Sequence, residues 1–164
     1  AAHIAGHAHD FAVDVLIAPG ADAPAQGALV GVHLPGHRLA DDNHRIVIIK
    51  KGENGALLFY NKYIFSAPAY PMEEIFDPTG AGDTFMGGLI GYLTRWDTIH
   101  YATVKRAVVY GSVLASFCCS KFSTEGIEDL SMDQIYRRFR ELQSISSFED
   151  EPYKARNADA EGMM

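Results

Sequence analysis

The stretch Asp77-Pro78-Thr79-Gly80-Ala81-Gly82-Asp83-Thr84-Phe85 decides the reading of this chain. Two glycines flank an alanine just ahead of an apolar run with helical spacing. Glycine there lets the backbone take angles closed to other residues and lets a ligand come close. A helix that starts at this point presents unpaired N–H groups and a partial positive charge. Together these make an anion site suited to phosphate. Asp83 falls in the first helical turn beside it. A carboxylate there repels phosphate, so for binding alone it is wasteful. It suits a base that takes a proton from a hydroxyl attacking phosphorus. The plainer alternative is a favourable charge at a helix N-terminus, worth under ~1 kcal/mol.

The helix is predicted to run to about Arg95, with Phe85, Leu89 and Tyr92 or Leu93 facing a sheet. Gly87, Gly88 and Gly91 lie within it, each costing ~1 kcal/mol relative to Ala. Tight helix–sheet packing is the expected reason for them. Upstream, Ile46-Val47-Ile48-Ile49 reads as a strand buried on both faces. Lys51-Gly52-Glu53-Asn54-Gly55 reads as a turn. Ala56–Tyr60 and Tyr63–Ala67 read as a hairpin closed by Asn61-Lys62. Downstream, a second helix is predicted from about Ile99 to Cys119, with a loop over 122–129 after it. Ser131 and Gln134 form a capping box opening a helix to about Gln143.

Composition bounds the rest. The 164 residues suffice for one domain, and 48% apolar with 21% charged content is ordinary globular usage. Nine Phe, eight Tyr and one Trp can anchor a core. The formal charge of −7 disfavours non-specific hold on nucleic acid or on an anionic membrane. Cys118 and Cys119 are adjacent and the only cysteines, which is no disulfide framework and fits a reducing compartment. Packing is the expected role of the pair, with redox chemistry the alternative. The uncharged run 107–120 is shorter than the ~20 residues a membrane span needs. No basic n-region or cleavage site marks a signal peptide, and a first residue other than Met hints at a start lying elsewhere.

Residues 1–45 differ in composition from the rest of the chain. They hold six of the seven histidines and no Tyr, Trp or Lys. Phe11 to Ala18 could form a strand, and 18–27 is a breaker-rich loop. The segment is expected to be a linker, a remnant or an addition. His3, His7 and His9 could bind a metal, against the alternative of an exposed histidine-rich end. Arg137-Arg138 and Arg140 read as a solvated helix face paired with Glu141. Residues 144–164 read as a polar tail.

The run Asp-x-Thr-Gly-Ala-Gly-Asp-Thr-Phe-x-Gly-Gly resembles the C-terminal signature of the PfkB, or ribokinase-like, carbohydrate and nucleoside kinases. The likeness extends upstream through Ile46 to Phe59, with Lys50-Lys51-Gly52-Glu53-Asn54-Gly55 similar to the family's turn near ATP. It extends downstream through the long helix and the loop Phe122-Ser123-Thr124-Glu125-Gly126. It covers about residues 45–143. It implies an α/β fold of three layers (α/β/α), mostly parallel, with helices on both faces and the N-terminal side missing. The expected divisions are an atypical 1–45, a kinase-domain portion 46–143 and the tail.

The resemblance also implies roles. Asp83 matches the catalytic base, and the N–H groups of Gly80, Ala81 and Gly82 match the anion hole. Lys50, Gly52 and Gly55, with Gly80 and Gly82, would bind the nucleotide. Asp77 and Thr79 match positions that hold a monovalent cation such as K+ in many members. Asp77 could equally cap the turn before Pro78. ATP is the implied co-substrate, with Mg2+ carried on its phosphates, and a sugar or nucleoside is the implied acceptor. A cytoplasmic location is expected too, and whether a homodimer covers the open sheet edge is left open by the sequence. The chain departs from the family at four points. The N-terminal half that carries most sugar-binding residues has no counterpart. No Asn-x-x-Glu motif precedes Ile46, Lys50 stands where many members have Thr, and Gly111 stands near a common adenine-side Asn. A non-catalytic nucleotide-binding fragment, or an inactive remnant, is the alternative. A packing module that merely keeps the motif is a third reading.

Overall fold

The computed structural model describes the backbone of residues 11–17, 29–34 and 38–39, and residues 46–148 with their side chains. The histidine-rich start, the breaker-rich loop and the tail beyond residue 148 lie outside the described residues. The elements are β1 (Phe11–Ile17), β2 (Leu29–Leu34), β3 (Arg38–Leu39), β4 (Ile46–Lys50), β5 (Ala56–Tyr60), β6 (Tyr63–Ala67), α1 (Ala81–Leu93), β7 (Thr98–Ile99), α2 (Tyr101–Cys119) and α3 (Met132–Ser146). Five strands form one sheet in the order β2-β1-β4-β5-β6, and β3 pairs with β7. The stretch before Arg45, read as standing apart, thus supplies two strands to the same sheet as β4.

The expected mostly parallel sheet is not what the described residues form. Only β1 and β4 run parallel within the five strands, with Val13 opposite Ile46 and Ile17 opposite Lys50. The other three pairings are antiparallel. For β4–β5 and β5–β6 the reason is connection length. The short turns at 51–55 and 61–62 can join only antiparallel neighbours, because a parallel return needs a crossover of a dozen residues or more. Asn61 takes φ 55° at the tight turn, a conformation Asn tolerates better than most residues.

Strand parity sets the core. Ile46, Ile48 and Lys50 alternate with half-buried Val47 and Ile49, so β4 is buried on one face rather than on both as its unbroken apolar run suggested. Ile46, Ile48, Ala56, Leu58, Tyr60 and Ala67 meet Phe85, Leu89 and Leu93 of α1 and Val104, Ala107 and Val108 of α2. Fully burying a side chain such as Leu58, Leu89 or Leu93 contributes ~1.5–3 kcal/mol. The described helices gather on this face. Leu57 and Phe59 on the other face are half-buried and Ile64 is exposed. Among the described residues, helices therefore cover one face of the sheet, of the two expected.

The α1 glycines do different jobs. A Cβ on Gly88 would stand 2.8 Å from Leu114 Cδ1 and 3.2 Å from the Gly111 Cα, and one on Gly111 would stand 2.8 Å from the Phe85 carbonyl oxygen. The close partner is therefore helix α2, not the sheet. Gly87 and Gly91 face open space.

Helix α3 begins with the expected capping box. Ser131 Oγ accepts from the Gln134 N–H, and the Gln134 side chain accepts from the Ser131 N–H at 2.9 Å. Ile135 and Leu142 pack on Val113 of α2. Arg138 is not part of a solvated face. Its guanidinium lies between the Phe117 ring, 3.6 Å from the centroid, and the Tyr70 ring at 4.8 Å, and donates to Ser116 Oγ at 3.0 Å. Burial lowers its pKa from the ordinary value, against the opposing pull of Tyr70 and Glu141. Arg137 and Arg140 are exposed, as expected. No helix among the described residues is long and apolar enough to cross a membrane.

The glycine contrast gives a measurable outcome. Gly87→Ala is expected to stabilise the chain by up to ~1 kcal/mol, because an open helical site gains propensity. Gly88→Ala is expected to cost ~1–3 kcal/mol through crowding against α2. Urea unfolding of the two variants beside the wild type checks both signs.

Candidate active site

The glycine turn is built as the sequence predicts a helix start to be built. Gly80 precedes α1 with φ 79° and ψ −7°, the left-handed region that a side chain disfavours. No side chain caps the helix. The Ala81 N–H turns back to the Pro78 carbonyl at 3.1 Å, and the Thr84 N–H reaches the Gly80 carbonyl at 2.9 Å. The N–H groups of Gly82 and Asp83 precede the first intrahelical acceptor and find no partner among the described residues. Gly80, assigned to the anion hole with Gly82, likewise has no backbone partner for its N–H among the described residues. Ala81, assigned to the anion hole, is already engaged, while Asp83 offers its own N–H as well as its carboxylate.

Three side chains hold the turn. The Asp77 carboxylate accepts from the Thr79 N–H at 2.9 Å. Its pKa lies below the ordinary value, first because the Thr79 hydroxyl donates to it, then through the Thr79 and Ser123 backbone N–H groups. Of the two roles open to Asp77, turn capping is thus observed directly. Behind the turn, the buried Cys118 thiol donates to the Thr79 carbonyl at 3.5 Å. Burial pushes the neighbouring Cys119 thiol above its usual pKa, the wrong direction for a reactive thiolate.

Lys50 comes from the strand side. It ends β4 on the inward face and is only 8% exposed. Its Nζ donates to the Gly82 carbonyl at 3.0 Å and stands 5.7 Å from the Phe85 ring centroid. Burial lowers its pKa, and the Asp83 charge partly restores it. A Cβ on Gly82 would sit 3.0 Å from that nitrogen. The contact between Lys50 and the helix start was missed from sequence. Only the alternation of β4 could have signalled that position 50 shares a face with Ile46 and Ile48.

The remaining candidates lie apart. Gly52 and Gly55, the expected nucleotide wall, flank the turn after Lys50, with φ 56° and 77°. A Cβ on Gly55 would collide with the Ala67 carbonyl oxygen, so this glycine is required by the β4–β5 turn itself. Among the described residues no hydrogen bond links this turn to Gly80–Asp83. Gly111, near the expected adenine-side position, is buried in the α1–α2 contact.

Chemically, the arrangement brings open backbone donors, among them those of Gly82 and Asp83, together with a buried ammonium and an exposed carboxylate at one helix start. The donors and the ammonium fit a phosphate. No group of three or more His, Cys, Asp or Glu side chains among the described residues could hold a metal ion.

The model of the pfkB family carbohydrate kinases matches residues 35–129, more than half of the chain. The protein belongs to this family of kinases. It is 49% identical over 53 residues to a cytidine kinase of Thermococcus kodakarensis, covering 31% of this chain and 19% of the relative. It is 41% identical over 61 residues to an aminoimidazole riboside kinase of Salmonella typhimurium, covering 37% of this chain and 19% of the relative. A crystal structure of aminoimidazole riboside kinase from Salmonella enterica, complexed with aminoimidazole riboside and an ATP analogue, superposes with a TM-score of 0.52 at 29% identity. That match covers 57% of this chain and 31% of the other. The chain spans about a fifth of the length of these curated relatives.

Capping by Asp77 has a definite pH sign. Its folded pKa is lowered, so its contribution is complete at neutral pH and is lost only as pH falls through a value below the ordinary 3.8. The carboxyl carbon of Asp77, tracked by NMR, is expected to titrate below that value, with the Thr79 amide moving in step.

Proposed function

We propose that the protein to which this sequence belongs transfers the γ-phosphoryl group of ATP to a hydroxyl of a sugar or nucleoside. The observation that carries the reading is the uncapped, left-handed glycine start of α1 with Asp83 in its first turn, in a chain of this kinase family. Asp83 takes the proton of the acceptor hydroxyl as that oxygen attacks phosphorus. The open N–H groups beside it hold the negative charge gathering on the transferred group, positioned in advance rather than recruited from water. Gly80 gives the bend, and Gly82 leaves room for the approach. Gly52 and Gly55 border the nucleotide. Magnesium on the phosphates supplies charge neutralisation. Asp77 and Thr79 take a monovalent cation in the same reading, since a carboxylate has acceptor sites beyond those used for the turn. The bound ATP analogue and aminoimidazole riboside of the Salmonella relative support a nucleotide and a small acceptor. The reading places the enzyme in the cytoplasm.

The second reading is a nucleotide-binding piece without turnover. It asks only for the open N–H groups and the Lys50 ammonium, which fit a phosphate, and for no acceptor contact.

Turnover of an acceptor panel with Mg·ATP separates the two. Product from any sugar or nucleoside removes the second reading. In that case Asp83→Asn is expected to lower kcat by at least ~10²–10⁴-fold while Mg·ATP still binds. Near-normal turnover by Asp83→Asn would sink the assignment of the base.

A further inference from the structure

We propose that Lys50 is a positioning residue of this site, its ammonium clamping strand β4 to the first turn of α1 and balancing the negative charge of a phosphate bound there. The proposal rests on the phosphoryl-transfer reading above and adds to it a charge requirement borne by one residue.

Lys50 is placed unfavourably for a cation. A lysine ammonium is costly to bury unless paired. Here it is buried at the positive end of a helix, where the dipole opposes a cation. An ammonium has three N–H donors. The Gly82 carbonyl is the one hydrogen-bond acceptor that Lys50 Nζ meets among the described residues. Asp83 is the charged group facing it, and the Phe85 ring adds a weak attraction at 5.7 Å. Among the described residues, one neutral carbonyl and one exposed carboxylate are what the ammonium has for partners. A phosphate on the Gly82 and Asp83 N–H groups would bring negative charge to the same helical turn whose Gly82 carbonyl Nζ already holds.

A second consequence concerns geometry. Gly82 and Asp83 are adjacent, so a bond to the Gly82 carbonyl fixes the peptide plane that carries the Asp83 N–H. Lys50 therefore acts on the base and on the anion donor through one bond, without touching the acceptor hydroxyl.

The coupling has a sign. The charged form of Lys50 is the one that attracts the anion, and burial lowers its pKa from 10.5. Affinity for a fully ionised triphosphate is thus expected to fall as pH rises through the folded value, which lies below 10.5. The test is calorimetric titration of the full chain with Mg·ATP from about pH 7.5 to 10, for the wild type, Lys50→Met and Lys50→Arg. The expected result is wild-type affinity that weakens with pH. Lys50→Met should bind about tenfold more weakly at the low end, with no such slope. Lys50→Arg, which stays protonated, should bind without the slope and more tightly than Lys50→Met. The pH slope distinguishes this role from simple packing, and the wild-type series alone carries it if Lys50→Met fails to fold. Wild-type binding that is flat with pH, or matched by folded Lys50→Met, overturns the assignment of Lys50 alone. No binding by the folded wild type overturns it together with the reading of the site.

Discussion

The near-contact of two backbones, at Gly88 of α1 and Gly111 of α2, is the constraint on which the rest of the arrangement depends. A methyl group at either position would stand within 3 Å of α2 or of Phe85. With hydrogen there instead, α1 lies flat on α2 and both lie on the inward face of β4, β5 and β6. The start of α1 is then delivered over the end of β4, where Lys50 waits, and beside the last turn of α2, where Cys118 reaches Thr79. The loop after α2 tucks in as well, and a Cβ on Gly126 would collide with the Phe117 carbonyl oxygen. The glycine turn is braced from the strand below and the helix behind, and its own start stays open.

Much of this was legible because local chemistry and tertiary need agree. The glycines of the turn, the Ser131–Gln134 box and the Asn61-Lys62 hairpin each have a short-range physical cause, and such features do not wait on distant contacts. The strands β5 and β6 and the ends of the helices came out to within two or three residues. The failures share a cause too. Ile46-Val47-Ile48-Ile49 is apolar at every position, so its letters cannot tell one buried face from two. The alternation appears only when Lys50 is counted with it. Arg138 reads as a surface charge in a basic cluster. Its place between Phe117 and Tyr70 is set by residues far away in sequence.

The site was legible in its letters and not in its wiring. Asp83 and its glycines announce themselves by spacing. Which N–H groups stay open does not, because the Pro78 carbonyl takes the one on Ala81. Asp77 could be read as a ligand or as a cap, and the bond to Thr79 gives it the second role without using all its oxygen lone pairs. Gly52 and Gly55 look like ligand-facing glycines, yet the Gly55 position answers to the Ala67 carbonyl.

The two open N–H groups at Gly82 and Asp83 also make the turn its own clock. A backbone amide that bonds to nothing and meets solvent trades its proton for deuterium far faster than one locked inside a helix. These two should be among the first amides of α1 to exchange, while those deeper in the helix lag behind. An anion seated on them would slow both together and leave the rest of the helix as it was. The rate at which two protons leave the molecule is thus a record of what occupies the turn, one that requires no catalysis to be read.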